Sequence, residues 1–273
     1  MKRQKPLLWG WVVALFVVGT ATLLGAWHRY QRPTVAVFCY HEIAPNPTNS
    51  MTLEPIQFEA HLRWLKHSGF LTLTGEQLLR FLRGEWQPQE PAVVLTFDDG
   101  YEGVYNYAYP LLKRYGYCGI VFPVVAKIDM PRHLTWEQLR EMVDSGVMEV
   151  GVHAYEMHCS LTRMLEKSPN PVKTLERIAR DWTKAKWLLQ TRLGVRVFLL
   201  AFPQGDYNEV LIALAKSLGF EGLFTADIGV NKLGEGTERI KRIGTSAPHT
   251  TVWRLRLRLL RAQWFPQSVN EQY

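Results

Sequence analysis

From Thr34 onward, short apolar runs rich in β-branched residues alternate with segments in which apolar residues recur with the period of a helix. The apolar runs predict strands that are buried on both faces, and the segments between them predict crossover helices. Strands are predicted at residues 35–39, 92–97, 118–125, 148–152, 195–202, 220–225 and 239–244. This alternation is typical of an α/β protein with a parallel sheet covered by helices.

The helical segments carry recognisable start and stop signals. Thr135 and Gln138 form a capping box ahead of one helix, and Asn208 is the N-cap of another. Glycines that end helices stand at positions 69, 146, 194 and 219. About seven strand–helix units without a glycine-rich phosphate loop favour a β/α barrel over a doubly wound sheet. We therefore expect one domain at residues 34–262, followed by a tail at residues 263–273.

An uncharged apolar run, Leu7–Ala26, precedes the predicted domain. A helix of this length spans about 30 Å, the thickness of bilayer hydrocarbon. A cleaved signal peptide would have a shorter apolar region and a small-residue cleavage site, so we favour a transmembrane anchor at residues 7–27. More basic residues precede the run than follow it, which predicts that residues 1–6 are cytoplasmic and that the domain is extracytoplasmic. Residues 28–33 are the predicted linker. We therefore expect a single-pass protein of the cell membrane.

Composition adds little about the partners of this protein. The formal net charge is +7, from 32 Lys and Arg against 25 Asp and Glu. No basic block with interleaved aromatic residues is present, so we expect no nucleic-acid partner. Cys39, Cys118 and Cys159 lie far apart in the sequence, which indicates neither a zinc knuckle nor a redox pair.

Acidic and imidazole side chains follow two of the predicted strands. Asp98 and Asp99 are adjacent, and two ionised carboxylates at a strand end need a positive partner or a metal unless they form an ordinary turn. His153 and His158 are five residues apart, so they would not share a helical face but could converge on one ion from a loop. Two imidazoles and one carboxylate suit Zn²⁺, with Co²⁺, Ni²⁺ or Fe²⁺ as alternatives.

A third polar segment, residues 201–208, follows the strand predicted at 195–202. Pro203 and Gly205 indicate a tight loop whose backbone amides could bind an oxyanion or a sugar hydroxyl. In isolation this segment is also compatible with an ordinary strand-to-helix turn.

Taken in order, these three motifs resemble the polysaccharide deacetylases, or NodB-like carbohydrate esterases. The resemblance covers about residues 34–245 and depends on TFDDG at 96–100, the histidine pair and FPQGDYN at 202–208. It implies a distorted β/α barrel that hydrolyses N- or O-acetyl groups on sugars with a divalent metal. The implied residues are Asp98 as catalytic base, Asp99, His153 and His158 as metal ligands, and Tyr40, Pro203, Gly205, Tyr207 and Asn208 in substrate binding.

The sequence departs from the family pattern at three places. The histidines are five apart rather than four and Ala154 follows the first, which is similar to the branch that deacetylates poly-β-1,6-N-acetylglucosamine. Phe202 stands where the family often has an arginine. No clear LxH motif supplies a catalytic acid, so His41 is preferred for that role and His249 is the alternative.

The expected function is removal of N-acetyl groups from a cell-surface or matrix N-acetylglucosamine polymer, with release of acetate. Two alternatives stay open. The barrel could be a catalytically silent, membrane-tethered glycan-binding protein, or it could deacylate another glycan such as peptidoglycan or xylan.

The C-terminal region predicts a basic amphipathic helix. Trp253, Leu257 and Leu260 share one face, with arginines on a neighbouring stripe. We expect this apolar face to pack on the barrel and the arginines to face solvent. Contact with anionic lipid or a wall polymer is the alternative.

Overall fold

The computed structural model describes residues 33–47, 49–245, 247–248 and 250–267. The predicted anchor at Leu7–Ala26 and the alternative acid His249 lie outside these residues. Among the helices that are described, none combines the length and the apolar character needed to cross a bilayer.

Within the described part, the strands are β1 (Thr34–Tyr40), β2 (Glu42–Ile43), β3 (Thr52–Leu53), β4 (Leu71–Thr72), β5 (Ala92–Asp99), β6 (Gly119–Pro123), β7 (Met148–Val150), β8 (Leu199–Ala201), β9 (Gly222–Phe224), β10 (Asn231–Lys232) and β11 (Ile243–Gly244). The helices are α1 (Pro55–His67), α2 (Gly75–Leu82), α3 (Tyr109–Tyr115), α4 (Trp136–Asp144), α5 (Leu161–Glu166), α6 (Pro171–Leu193), α7 (Glu209–Ser217) and α8 (Val252–Trp264).

Parallel pairing closes the sheet into an irregular barrel. β1 pairs with both β11 and β5, and the sheet continues through β6 to β7. β8 and β9 form a separate parallel pair. Single bridges join the two sets, from Val152 to Leu200 and from Phe224 to Ile240. Over the described residues, the ring consists of seven strands: β11, β1, β5, β6, β7, β8 and β9. Each of them overlaps one of the seven strands predicted from the sequence, so the predicted β/α barrel is confirmed.

The alternation of side chains along β1 divides the core into two layers. Val35 and Val37 point into the barrel, where they pack with apolar residues of the other strands. Phe38 and Tyr40 point outward, into the larger layer between the strands and the helices. Helix α2 closes the barrel at the end where the strands begin, and its first amide, Gly75 N, donates to the side chain of Glu149 on β7. The opposite end, where the parallel strands end, contains a cavity.

The last helix contradicts one sequence expectation. The pattern predicted that Trp253, Leu257 and Leu260 would pack on the barrel. The structure instead buries Leu255 and Ala262 against α1 and β11, and leaves Trp253 and Leu260 exposed. The helix has apolar side chains on two faces, so periodicity alone could not identify the face that packs.

Candidate active site

A cavity of about 440 Å³ lies at the carboxyl end of the barrel strands. Its lining includes the side chains that the sequence singled out for chemistry: His41, Asp98, Asp99, His153 and His158. These residues come from the ends of β1 and β5 and from the segment after β7, so the topology of the barrel brings them together.

Asp98 and Asp99 both line this cavity although they are neighbours at the end of one strand. In a regular strand, successive side chains point to opposite faces of the sheet. Asp98 keeps that alternation and points inward, as Val94 does on the same strand. Asp99 has a φ of 69°, in the left-handed region, which interrupts the alternation at the strand end. Two adjacent carboxylates therefore serve one site.

Asp98 is buried in an ion pair with Arg242. The Arg242 Nη1 donates to Asp98 Oδ1 at 2.8 Å, and both side chains are almost fully inaccessible to solvent. Burial raises the pKa of Asp98, but the Arg242 guanidinium, with His153 and His41, outweighs burial and holds that pKa below its ordinary value. Asp98 is therefore a permanently ionised carboxylate at neutral pH.

Arg242 is a site residue that the sequence reasoning missed. It precedes β11, and its Nε donates to the Thr225 carbonyl at 2.8 Å, which fixes the guanidinium. The resemblance placed an arginine before Pro203, where this chain has Phe202. The structure brings a guanidinium to Asp98 from a different segment of the chain. The available signal was an arginine near the carboxyl end of the strand predicted at 239–244.

Asp99, His153 and His158 present three potential ligand atoms to one point. Asp99 Oδ1 lies 3.1 Å from His158 Nε2 and 3.5 Å from His153 Nε2, and the two Nε2 atoms are 3.1 Å apart. The His153 Nδ1 lies 2.8 Å from the Ala201 carbonyl oxygen. Because a carbonyl only accepts, Nδ1 carries the proton and the lone pair of neutral His153 is on Nε2. That lone pair faces the other two donor atoms.

The electrostatics of this trio fit a bound cation. Burial lowers the pKa of His153 despite the nearby Asp98 and Asp99, so this imidazole is neutral at neutral pH. Burial raises the pKa of Asp99, but His158 and His153 outweigh it and lower that pKa below its ordinary value. Asp99 Oδ1 is nevertheless buried without a hydrogen bond of acceptable geometry. A small divalent cation would satisfy this oxygen and both nitrogens, since one carboxylate and two imidazoles are a common donor set for transition metals.

Asp181 holds the loop that carries these histidines. Its carboxylate accepts hydrogen bonds from the backbone amides of Tyr155, Glu156 and Met157 at 2.8, 2.9 and 3.0 Å. Asp181 is buried on α6, and sequence reasoning gave it no role. The sequence did contain an indication of its role, since Asp181 is an acidic residue next to Trp182 on the apolar face of a long amphipathic helix.

His41 lies beside Asp98 at the edge of the cavity. One of its ring nitrogens, a carboxylate oxygen of Asp98 and the Cys39 sulfur all lie within 4.8 Å of one another. Burial lowers the pKa of His41, although the Asp98 and Asp99 charges oppose this. Cys39 donates its S–H to Asp98 Oδ2 at 3.6 Å, and burial raises the pKa of its thiol, which keeps the sulfur protonated.

The loop after β8 contributes backbone to the cavity wall. Gln204 and Gly205 line the cavity, with φ values of 58° and 69°. A Cβ at position 205 would lie 2.1 Å from the Ala226 Cβ and 2.5 Å from the Ala226 amide nitrogen. Only glycine therefore fits at this position, and the wall it forms is close-packed.

The other residues that the resemblance implied in substrate binding do not line this cavity. Tyr40 is fully buried on the outer face of β1, where its ring stacks on Phe97, because alternation turns it away from His41. Pro203 is buried. Tyr207 is also buried and donates to Asp227 Oδ2 at 2.5 Å, and Asn208 caps α7 by accepting from the Leu211 amide.

Comparisons with known proteins agree with this arrangement. The family model described as polysaccharide deacetylase matches residues 86–223, a region that includes the two aspartates and both histidines. The Bacillus subtilis (strain 168) protein YxkH, named provisionally as a polysaccharide deacetylase, is 29% identical over 222 residues, which cover 81% of this chain and 75% of that protein.

Two further matches are one curated enzyme and one solved structure. The poly-β-1,6-N-acetyl-D-glucosamine N-deacetylase of Escherichia coli (strain K12) is 26% identical over 212 residues, which cover 66% of this chain but only 32% of that enzyme. The solved structure of IcaB from Ammonifex degensii superposes with a TM-score of 0.69 at 26% identity, covering 78% of this chain and 91% of that one.

Proposed function

The chain belongs to the polysaccharide deacetylase family, and on that premise we propose that it is a metal-dependent N-deacetylase of a poly-β-1,6-N-acetylglucosamine polymer. The observation that carries the metal dependence is the buried Asp99 Oδ1, which lacks a hydrogen bond and lies 3.1 and 3.5 Å from two imidazole nitrogens. The five-residue spacing of the histidines and the named activity of the E. coli relative support the choice of polymer.

Asp99, His153 and His158 would hold the metal, with zinc as the expected ion for this donor set. When bound, the divalent ion supplies Lewis-acid chemistry, which polarises an acetyl carbonyl and makes water more acidic. The chain contributes the orientation of the ligands: the Ala201 carbonyl fixes the tautomer of His153, and Asp181 holds the loop that ends in His158.

Asp98 is the proposed general base. Its carboxylate is ionised, and Arg242 fixes it beside the cavity, so it can accept a proton from water that attacks an acetyl group there. Hydrolysis of an amide also requires a proton for the departing amine, because an amide nitrogen does not leave as an anion. His41 is the proposed donor, since it lies close to Asp98 and can receive the proton that Asp98 has taken. The products are acetate and a glucosamine amine.

The substrate is tested by the acetate that the purified full chain releases from three polymers. We expect release from poly-β-1,6-N-acetylglucosamine to exceed release from peptidoglycan and acetylated xylan by at least about tenfold, a factor that corresponds to about 1.4 kcal/mol of transition-state discrimination. Greater release from peptidoglycan or xylan would refute the proposed polymer and leave the family assignment intact. No release from any of the three would support the silent glycan-binding alternative.

We also propose that Leu7–Ala26 anchors the protein in the cell membrane with its domain on the extracytoplasmic side. The absence of charge over that run and the basic residues before it support this topology. Protease added to intact cells is expected to digest the domain. Complete protection, or release of a shortened protein from the membrane fraction, would contradict it.

A further inference from the structure

The outward side of α8 carries large apolar residues that the fold leaves in solvent. Trp253, Leu260 and Trp264 are 68%, 53% and 56% exposed, and we call these three side chains the outer stripe. Successive helical residues turn by about 100°, which places the outer stripe about 140–180° around the helix from the buried Leu255. Phe265, just after the helix, is 71% exposed and extends the apolar surface.

Positive charge borders the outer stripe. The sequence of α8 contains four arginines and no acidic residue. Arg254, Arg256 and Arg261 are exposed, whereas Arg258 is partly buried and donates to the Gly244 carbonyl. Arg256 and Arg261 flank the outer stripe on its two sides, at about 60° and 80° from Trp253. The surface is therefore an apolar ridge between cationic side chains.

We propose that the outer stripe of α8 docks on the surface of a bilayer that contains anionic lipid. Tryptophan and leucine on one face with arginines beside them suit the boundary between headgroups and acyl chains, where the rings enter the apolar layer and guanidinium groups meet lipid phosphates. Each cation near such a surface contributes about 1 kcal/mol of attraction. A neutral acetylated glycan could stack on the tryptophans and accept hydrogen bonds from the arginines, but it carries no negative charge to complement theirs.

The short segment between the uncharged run and the domain also favours a bilayer as the surface that contacts α8. Six residues, 27–32, separate the uncharged run from residue 33, and fully extended they reach at most about 20 Å. Given the anchor proposed above for Leu7–Ala26, on which this step rests, a domain tied that closely to a bilayer would hold its own surfaces at a high local concentration of lipid.

The test uses the full chain reconstituted in vesicles, with a fluorophore on a cysteine introduced by Leu260→Cys. A matched protein carries the fluorophore at Val210→Cys, an apolar position on α7 that is 49% exposed. Signal from the native cysteines is subtracted with the labelled parent chain. In phosphatidylcholine vesicles that contain phosphatidylglycerol and a doxyl-labelled lipid, we expect several-fold stronger quenching at position 260 than at position 210.

The arginine part of the proposal has its own readout. Arg256→Gln combined with Arg261→Gln is expected to reduce quenching at position 260 in anionic vesicles to its value in phosphatidylcholine alone. Equal quenching at positions 260 and 210, or none at either, would overturn the proposal, as would quenching that is independent of phosphatidylglycerol. A response of the label to soluble N-acetylglucosamine oligomers but not to lipid would overturn it in favour of a glycan-binding surface.

Discussion

Asp98→Asn is expected to lower the rate of acetate release by about 10²–10⁴-fold, the usual contribution of a positioned general base, while the protein keeps its divalent ion. The asparagine keeps the shape of the side chain but removes its capacity to accept a proton, together with the negative charge that pairs with Arg242. Asp98 pairs with Arg242 and is not one of the three atoms that converge on the proposed metal position. Metal analysis and acetate release, measured on the same preparation, check this prediction.

The structure also predicts a cost in stability for this variant. Arg242 would stay buried without its carboxylate, and breaking a buried ion pair on one side typically costs about 3–5 kcal/mol. Thermal unfolding therefore has to show that the variant is folded at the assay temperature. Asp144→Asn, the same chemical change at an exposed position on α4, is the matched control and should leave acetate release unchanged. Loss of metal from Asp98→Asn, or full activity in it, would contradict the assigned role.

Most of the barrel could be predicted from the sequence because its strands are long apolar runs between capped helices. The Thr135–Gln138 capping box and the end of α6 at Gly194 lie where the pattern put them. The strands that were not predicted, β2, β3, β4 and β10, have two residues each. Backbone pairing with a neighbour defines such segments, and two residues carry no periodicity.

Helix α2 shows a different kind of omission. Thr74 and Gln77 make a capping box of the same kind as the one before α4, and the signal is present in the sequence. The apolar residues that fill the start of the barrel, Leu78, Leu79, Phe81 and Leu82, lie on one side of this short helix. Its apolar stripe was therefore also present in the sequence, and the interpretation overlooked it.

The sequence could predict the site residues that follow the ends of strands, but not those whose position depends on how the barrel closes. Asp98, Asp99, His153 and His158 converge because parallel strands end at the same edge of the barrel. Arg242 reaches Asp98 from 144 residues away in the sequence, a relation that only the closed ring of strands creates. The family resemblance implied a role for Tyr40 in substrate binding, whereas alternation along β1 turns its side chain into the outer core layer.

Asp99→Asn should fail in a different way from its neighbour, by losing the metal. The amide lacks the negative charge that the Asp99 Oδ1 presents to the two imidazole nitrogens, so affinity for a divalent ion should fall well beyond the 10–100-fold typical of changes around a metal ligand. Metal content at limiting ion should drop, acetate release should fall with it, and excess ion should restore part of the activity. Asp98→Asn, assayed in parallel, should show no such recovery.

Chelation and a double variant make this prediction independent of turnover. The wild-type domain is expected to bind about one divalent ion, and because the ion binds only the folded chain, its removal should lower the melting temperature. His153→Ala combined with His158→Ala should abolish both the bound ion and this response to chelator. Equal occupancy in the wild type and the double variant would place the metal elsewhere. Retention of metal by Asp99→Asn, with its loss from Asp98→Asn, would reverse the roles of the two carboxylates.

The backbone at Asp99 adopts a φ of 69°, which asparagine tolerates as well as aspartate. A failure of Asp99→Asn to bind metal therefore reports the lost charge rather than a changed backbone.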